Sequence, residues 1–239
     1  MLRCASLPDY CYRLRETREE LRSGKALTIS CLESLDRTID DLFDILKARG
    51  TPEILETLCP YFGTVWPAAR ALTLELLEED RLEGTRVLEL GCGLAIPSIA
   101  AAMRGAETTA TDCHPDIDAF LKINLAANGS PRVRYHSLDW RHAENLIELG
   151  KFDWVIASDV LYEKHQPRIV AQVIAATLAK SGRFILADPG RPYLQEFSDE
   201  MSRLGYKVIV QTRTVADPGA ELPAVEGRTR DVFILKGGA

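Results

Sequence analysis

The stretch Val87-Leu88-Glu89-Leu90-Gly91-Cys92-Gly93 joins a short apolar run to a turn with two glycines. Such a turn lets the backbone bend sharply and approach a ligand with no side chain in between. Leu94–Met103 then reads as a helix, with Pro97 in its first turn, where a missing N–H does no harm. Strand, glycine turn and helix are one step of an alternation that continues toward the C-terminus. Candidate strands are Arg86–Leu90, Thr108–Thr111, Arg132–His136, Trp154–Ala157, Arg183–Ala187, Lys207–Gln211 and Asp231–Leu235. The helices between them begin near Pro97, Pro115, Gln166 and Pro192. Alternating β and α elements predict a mostly parallel sheet covered by helices on both faces. The last two strands are linked by Thr212–Thr229, which holds Pro218, Gly219, Pro223 and Gly227 but no helical period. A parallel crossover usually needs a helix, so this pair is predicted antiparallel.

Upstream of the alternation the pattern is helical. The first thirty residues are polar and arginine-rich, predicting a loosely held N-terminus with a helix over Arg13–Arg22. Ser30-Cys31-Leu32-Glu33 has the form of a capping box, and Leu35, Ile39, Leu42 and Leu46 follow at helical spacing until Gly50 stops them. Thr51-Pro52-Glu53 reads as a second helix start, ending near Cys59-Pro60, and a third helix runs from Pro67 to about Glu79. The predicted organisation is a helical extension over residues 1–60 and one α/β domain over residues 61–239.

Composition narrows the functional classes. The 239 residues carry 29 basic and 35 acidic side chains, a net charge of -6. That balance removes any broad attraction to nucleic acid. No apolar run approaches the roughly 20 residues needed to span a bilayer, and the first twenty residues contain no apolar segment of the secretory kind. The six cysteines form no CxxC pair and the four histidines are scattered. The expectation is a cytoplasmic protein with reduced thiols and no metal, nucleic-acid or membrane partner.

Asp112 ends the strand after the glycine turn, nineteen residues beyond Gly93, with Cys113 next to it. A carboxylate in that place can accept hydrogen bonds from both ribose hydroxyls. A dinucleotide-binding turn would have glycine at position 96, where this chain has Ile96-Pro97. A nucleoside without phosphates suits such a turn better, and S-adenosylmethionine is such a ligand. Ser158 and Asp159 end the strand that returns to the other side of the turn, where reacting groups tend to sit, and Tyr162 follows. His114 precedes Pro115 and is placed to cap the next helix.

With these residues in place, the chain from about Cys59 onward resembles the class I, seven-stranded, S-adenosylmethionine-dependent methyltransferases. Three segments are similar to a narrower group that methylates protein lysines and includes bacterial relatives described as nicotinamide N-methyltransferases. They are Gly63-Thr64-Val65-Trp66-Pro67-Ala68-Ala69, Asp159-Val160-Leu161-Tyr162 and Asp188-Pro189-Gly190-Arg191-Pro192. The resemblance implies a Rossmann-like sheet of order 3-2-1-4-5-7-6 with strand 7 antiparallel. It implies that Trp66, Glu89, Gly91, Cys92, Gly93, Asp112, Cys113, Asp139, Trp140 and Ser158 surround the cofactor, with Asp139 and Trp140 at the adenine. Asp159 and Tyr162 are then the catalytic pair, and S-adenosylhomocysteine is the product. The implied activity is N-methylation of a protein lysine. Alternatives are a small nicotinamide-like substrate, or a partner module that binds the cofactor without catalysis. One departure stands out: the group often has Thr-Gly after its GCG, where this chain has Leu94-Ala95.

Overall fold

The alternating apolar runs converge on one sheet. In the computed structural model, which describes residues 2–21, 24–142, 149–219 and 227–238, the sheet has seven strands. They are β5 (Arg86–Leu90), β6 (Glu107–Asp112), β7 (Val133–Ser137), β8 (Phe152–Ser158), β9 (Leu178–Asp188), β10 (Lys207–Ala216) and β11 (Thr229–Gly238). Their order is β10-β11-β9-β8-β5-β6-β7. Counted along the sheet's own strands this is 6-7-5-4-1-2-3, or 3-2-1-4-5-7-6 from the other edge, the order the resemblance implied. β5 pairs in parallel with β6 and β8, while β11 runs antiparallel to both β9 and β10.

Side chains of successive strand residues go to opposite faces. Val87, Ile156, Ile185 and Ile234 pack on helix α3 (Pro67–Leu77). Leu88, Leu90, Val155 and Leu186 pack on the other face with α6 (Gln166–Thr177) and α7 (Leu194–Arg203). Helices α4 (Ile96–Met103) and α5 (Ile117–Ala127) complete the layer on the α3 side. Each large aliphatic side chain buried this way contributes about 1.5–3 kcal/mol. No helix among the described residues is long and apolar enough to cross a membrane.

The N-terminal region departs from expectation. Residues expected as a helix over Arg13–Arg22 form β3 (Leu14–Glu20), paired antiparallel with β4 (Ala26–Leu32), and a smaller ladder joins β1 (Leu2–Arg3) to β2 (Cys11–Tyr12). Helix propensity lost to pairing: the Ala26–Leu32 run, with buried Leu27, Ile29, Cys31 and Leu32, needs a partner along one edge. Its other edge is met by α5, where Asn128 and Asn124 accept the N–H groups of Thr28 and Ser30. Ser30 is therefore strand, and the cap of α1 (Leu35–Ala48) is Ser34, whose hydroxyl accepts the Arg37 N–H. Nor is the N-terminus loosely held. Cys4, Leu7, Tyr12, Leu27 and Ile29 are buried in one cluster with Ile96, Ile99, Phe120 and Leu121. Buried Asp116 accepts from the Ala5 N–H and the Tyr12 hydroxyl, and Arg70 of α3 forms a two-pronged ion pair with Glu19. Helix α4 is apolar nearly all round because it is covered on both sides, by the sheet and by this N-terminal unit. Downstream, Pro52–Ile54 is a single 3-10 turn leading into α2 (Leu55–Leu58), which ends where expected.

Candidate active site

The order of the strands reverses at β5. The chain leaves it for β6 and β7 on one side, then returns to β8 on the other. Loops leaving the carboxyl ends of these strands diverge there, and in open α/β sheets that crevice takes the ligand.

Gly91 and Gly93 turn the chain with φ of +65° and +50°. A Cβ on Gly91 would lie 2.9 Å from Val160 Cγ1 and 3.1 Å from the Trp140 indole, and one on Gly93 would lie 3.2 Å from the Phe62 carbonyl oxygen. Conformation and space both require glycine at these positions. Ala95 also adopts a left-handed conformation, φ +57°, which costs a residue with a Cβ about 1–2 kcal/mol. The Leu94-Ala95 departure thus keeps a turn that a glycine would make without strain. Asp159 is left-handed too, φ +63°. Two of the three non-glycine residues of this kind among the described residues therefore lie in the loops that follow the adjacent strands β5 and β8, a placement typical of functional sites.

Glu89 lies on the α4 face of β5 and is fully buried. Its Oε2 accepts the Ser98 N–H at 3.0 Å and the Ser98 hydroxyl, holding the first turn of α4. Its Oε1 has no hydrogen-bond partner among the described residues. Burial pushes its carboxyl up to about 8, against the two bonds from Ser98. Asp112 ends β6, and its two oxygens each accept one backbone N–H, from Gly93 and from His114, both at 3.1 Å. Burial pushes this carboxyl above the usual range, while those N–H bonds pull it back. Cys92 contributes backbone: its N–H donates to the Thr111 carbonyl at 2.9 Å, and its thiol is buried and pushed well up. His114 takes its expected place at a helix start, with Nδ1 accepting the N–H of Asp116, the residue that caps α5.

Beyond β7, Asp139 is gripped by Arg141 through Nε and Nη2, and these bonds hold its carboxyl below the usual range. Cys113 feels the charges of Asp112, Asp139 and Arg141, so the ends of β6 and β7 meet at one place. Trp140 closes over Gly91, with its indole N–H buried and lacking an acceptor among the described residues. Trp66 sits one step back. It precedes α3 and donates its indole N–H to the Tyr61 carbonyl at 2.9 Å. Its neighbour Phe62 lies over Gly93 and stacks on His114 with ring centres 4.3 Å apart.

At the end of β8, Ser158 is buried, and Asp159 donates its N–H to Ala187 of β9. The Asp159 carboxylate is ion-paired with Arg191, which also reaches buried Asp188 at 3.2 Å. Burial pushes the Asp159 carboxyl up, and Arg191 is the main opposing influence. Tyr162 is more than half exposed, and its N–H donates to Gln166 Oε1 at 2.7 Å. The structure therefore gathers Gly91, Cys92, Gly93, Asp112, Cys113, Asp139 and Trp140 around one half of the crevice, and Ser158 and Asp159 at the other. Phe62, Ser98 and the reach of Arg191 to Asp159 were not foreseen. The signal for Arg191 was readable: two acids, Asp159 and Asp188, end adjacent parallel strands and need a countercharge.

An unmatched acceptor on Glu89 and an unmatched donor on Trp140 fit a ligand that brings polar groups of both kinds. Residues 57–200, more than half of the chain, match the model of the lysine methyltransferase family. The chain belongs to this family. S-adenosylmethionine is the cofactor that goes with that membership. Among relatives, the electron transfer flavoprotein beta subunit lysine methyltransferase of Xenopus laevis is 31% identical over 148 residues, 60% of this chain and 58% of that one. The histidine protein methyltransferase 1 homolog of Dictyostelium discoideum is 31% identical over 127 residues, 52% of this chain and 41% of that one. The matched region spans about half the length of these relatives. A 16S rRNA N2 G1207 methyltransferase from T. thermophilus, solved with AdoMet and guanosine, superposes with a TM-score of 0.59 at 20% identity, covering 97% of this chain and 51% of that one. This last likeness is one of fold.

Proposed function

We propose that this chain is an S-adenosylmethionine-dependent protein N-methyltransferase acting on a lysine side chain. One observation carries the reading beyond family membership: a strained, largely buried carboxylate, Asp159, stands at the end of β8 beside the glycine turn. When bound, S-adenosylmethionine supplies a methyl group already activated by its positive sulfur. Asp112 holds the ribose, since each of its oxygens keeps a lone pair beyond the N–H bond it accepts. Glu89 and the Gly91-Cys92-Gly93 backbone serve the amino-acid end. Asp139 and Trp140 serve the adenine, and Trp66, Cys113 and Ser158 complete the walls.

A lysine amine must shed its proton before it can act as nucleophile, and its ordinary pKa is about 10.4. Burial in the crevice disfavours the charged form, so the proton leaves to water. Asp159 accepts a hydrogen bond from the neutral amine and aims its lone pair, while Tyr162 lines the approach. Alignment of this kind can supply about 7–11 kcal/mol of a barrier. In this reading residues 61–239 are the catalytic domain, and residues 1–60 brace the helices that follow β5 and β6. The cytoplasm, where thiols stay reduced, is the compartment that suits the six unpaired cysteines.

The test is to incubate the purified chain with tritiated S-adenosylmethionine and a cell lysate, then locate the label. A labelled protein band with methyl-lysine is the expected result. Label confined to small molecules, or to protein histidine or arginine, overturns the assignment of substrate. A chain that neither labels the lysate nor gains thermal stability with S-adenosylhomocysteine is not an enzyme of this kind.

A further inference from the structure

Arg191 is carried by the segment Asp188-Pro189-Gly190-Arg191-Pro192, which leaves β9 and leads into α7. The register pairs Ser158 with Ala187, so Asp159 and Asp188 are the equivalent next residues of two neighbouring strands. Asp188 is fully buried, and its Oδ1 accepts the N–H groups of Gly190 at 2.8 Å and Arg191 at 2.7 Å. Those bonds fold the segment back on the strand end. Gly190 completes the fold with φ +94°, and a Cβ there would sit 2.8 Å from the Phe233 ring. Two prolines stiffen the segment on either side. The guanidinium so delivered lies between the two carboxylates, 3.2 Å from Asp188 and in an ion pair with Asp159.

We propose that Arg191 is a positioning residue for methyl transfer, holding the Asp159 carboxylate in place at the crevice through an arm anchored on Asp188. The proposal rests on the reading that Asp159 faces the substrate amine. Two buried acids side by side would otherwise repel, and one of them would take up a proton. The charged groups that face Asp159 are Arg191, Asp188 and Arg230. Arg230 is engaged by Asp217 at 2.8 Å, which leaves Arg191 as the direct partner. A planar guanidinium can bridge two carboxylates; a lysine ammonium is a point charge on a flexible stem. A protonated Asp159 would donate rather than accept, and would no longer aim an amine lone pair at the methyl group.

The experiment follows the carboxyl carbon of Asp159 by NMR across pH in the full chain, with the signal assigned by Asp159→Asn. The same proteins are assayed for transfer of tritium from S-adenosylmethionine to lysate protein as a function of pH, and for S-adenosylhomocysteine affinity by calorimetry. In Arg191→Met the Asp159 titration moves up by about one to three pH units, the effect of losing an opposite charge at close range. The acid limb of the activity profile moves with it, and Arg191→Lys restores part of both. Gly190→Ala, which leaves every charge in place but displaces the arm, lowers transfer about a hundredfold, the scale of a misplacement near 1 Å. S-adenosylhomocysteine affinity stays within about twofold in all three. An Asp159 titration that is the same in the wild type and Arg191→Met overturns the positioning role. Wild-type protein that labels nothing overturns the methyltransferase reading, and a role in methyl transfer with it.

Discussion

Two halves of one crevice treat their acids differently. After β5 and β6, Glu89 and Asp112 are held by the N–H groups of Ser98, Gly93 and His114. After β8 and β9, Asp159 and Asp188 share the guanidinium of Arg191. Backbone donors are fixed by the fold and need no countercharge, so the Glu89 and Asp112 carboxylates are held largely by the backbone itself. A shared arginine is a mobile-ended group on a stiff arm, so the second half depends on charge balance. On the proposed reading, the contrast gives binding and reaction different kinds of support. A cradle benefits from being rigid, whereas an acid that must stay ionised while buried benefits from a dedicated cation.

The contrast is sharpened by changes that separate binding from turnover. Asp159→Asn has the largest expected effect: methyl transfer falls at least about a hundredfold, on the scale of a misplaced reacting group, while calorimetric affinity for S-adenosylhomocysteine holds. Equal turnover in the mutant removes Asp159 from the mechanism. Asp112→Ala gives the opposite signature. It removes two charge-assisted contacts to the ribose and loosens the Gly93 turn, so S-adenosylhomocysteine binds about 10–100-fold more weakly; unaltered binding would falsify the ribose role.

A smaller effect concerns pH. Glu89 carries a folded-state pKa of about 8 against an ordinary value of 4.5. Between those values the folded chain keeps a proton that the unfolded chain has lost. Its contribution to stability is therefore full below about pH 4.5 and is lost as pH rises through about 8. Melting curves of the cofactor-free chain over this window should slope downward, and Glu89→Gln should flatten the slope by a few degrees at its alkaline end. Parallel curves for the two proteins would mean that Glu89 ionises freely. The smallest change is expected from Ala95→Gly. Relief of the left-handed strain is offset by the lost buried methyl and the freer unfolded chain, so stability should shift by less than about 1 kcal/mol. A large loss in denaturant midpoint would show that the Ala95 methyl, not the turn, supports the cradle.

Much of this was legible in the chain itself. Trp154–Ala157 is apolar on both faces, and Val87–Leu90 is so except for Glu89, a pattern that suits a strand covered on both sides. The lack of a helical period in the sequence between β10 and β11 foretold their antiparallel pairing. Gly91, Gly93 and Asp112 were readable as a cradle because turn conformation and sequence spacing are local properties. The N-terminal unit was misread for the complementary reason. Leu14–Glu20 has helix-forming residues, and the strand that captures it, Ala26–Leu32, is itself fixed by Asn124 and Asn128 nearly a hundred residues away. Arg191 was visible as a neighbour of Asp188, but its reach to Asp159 required knowing that β8 and β9 lie side by side in register.

The amino-acid sequence by itself determined the period of the elements from β5 onward, the place of the glycine turn and the family, because periodicity, backbone freedom and residue identity act over a few positions. The tertiary structure alone decided that Leu14–Glu20 pairs as a strand with Ala26–Leu32 and that one arginine serves two acids. Both depend on which distant segments become neighbours, and that is settled by the total burial and hydrogen bonding of the folded chain.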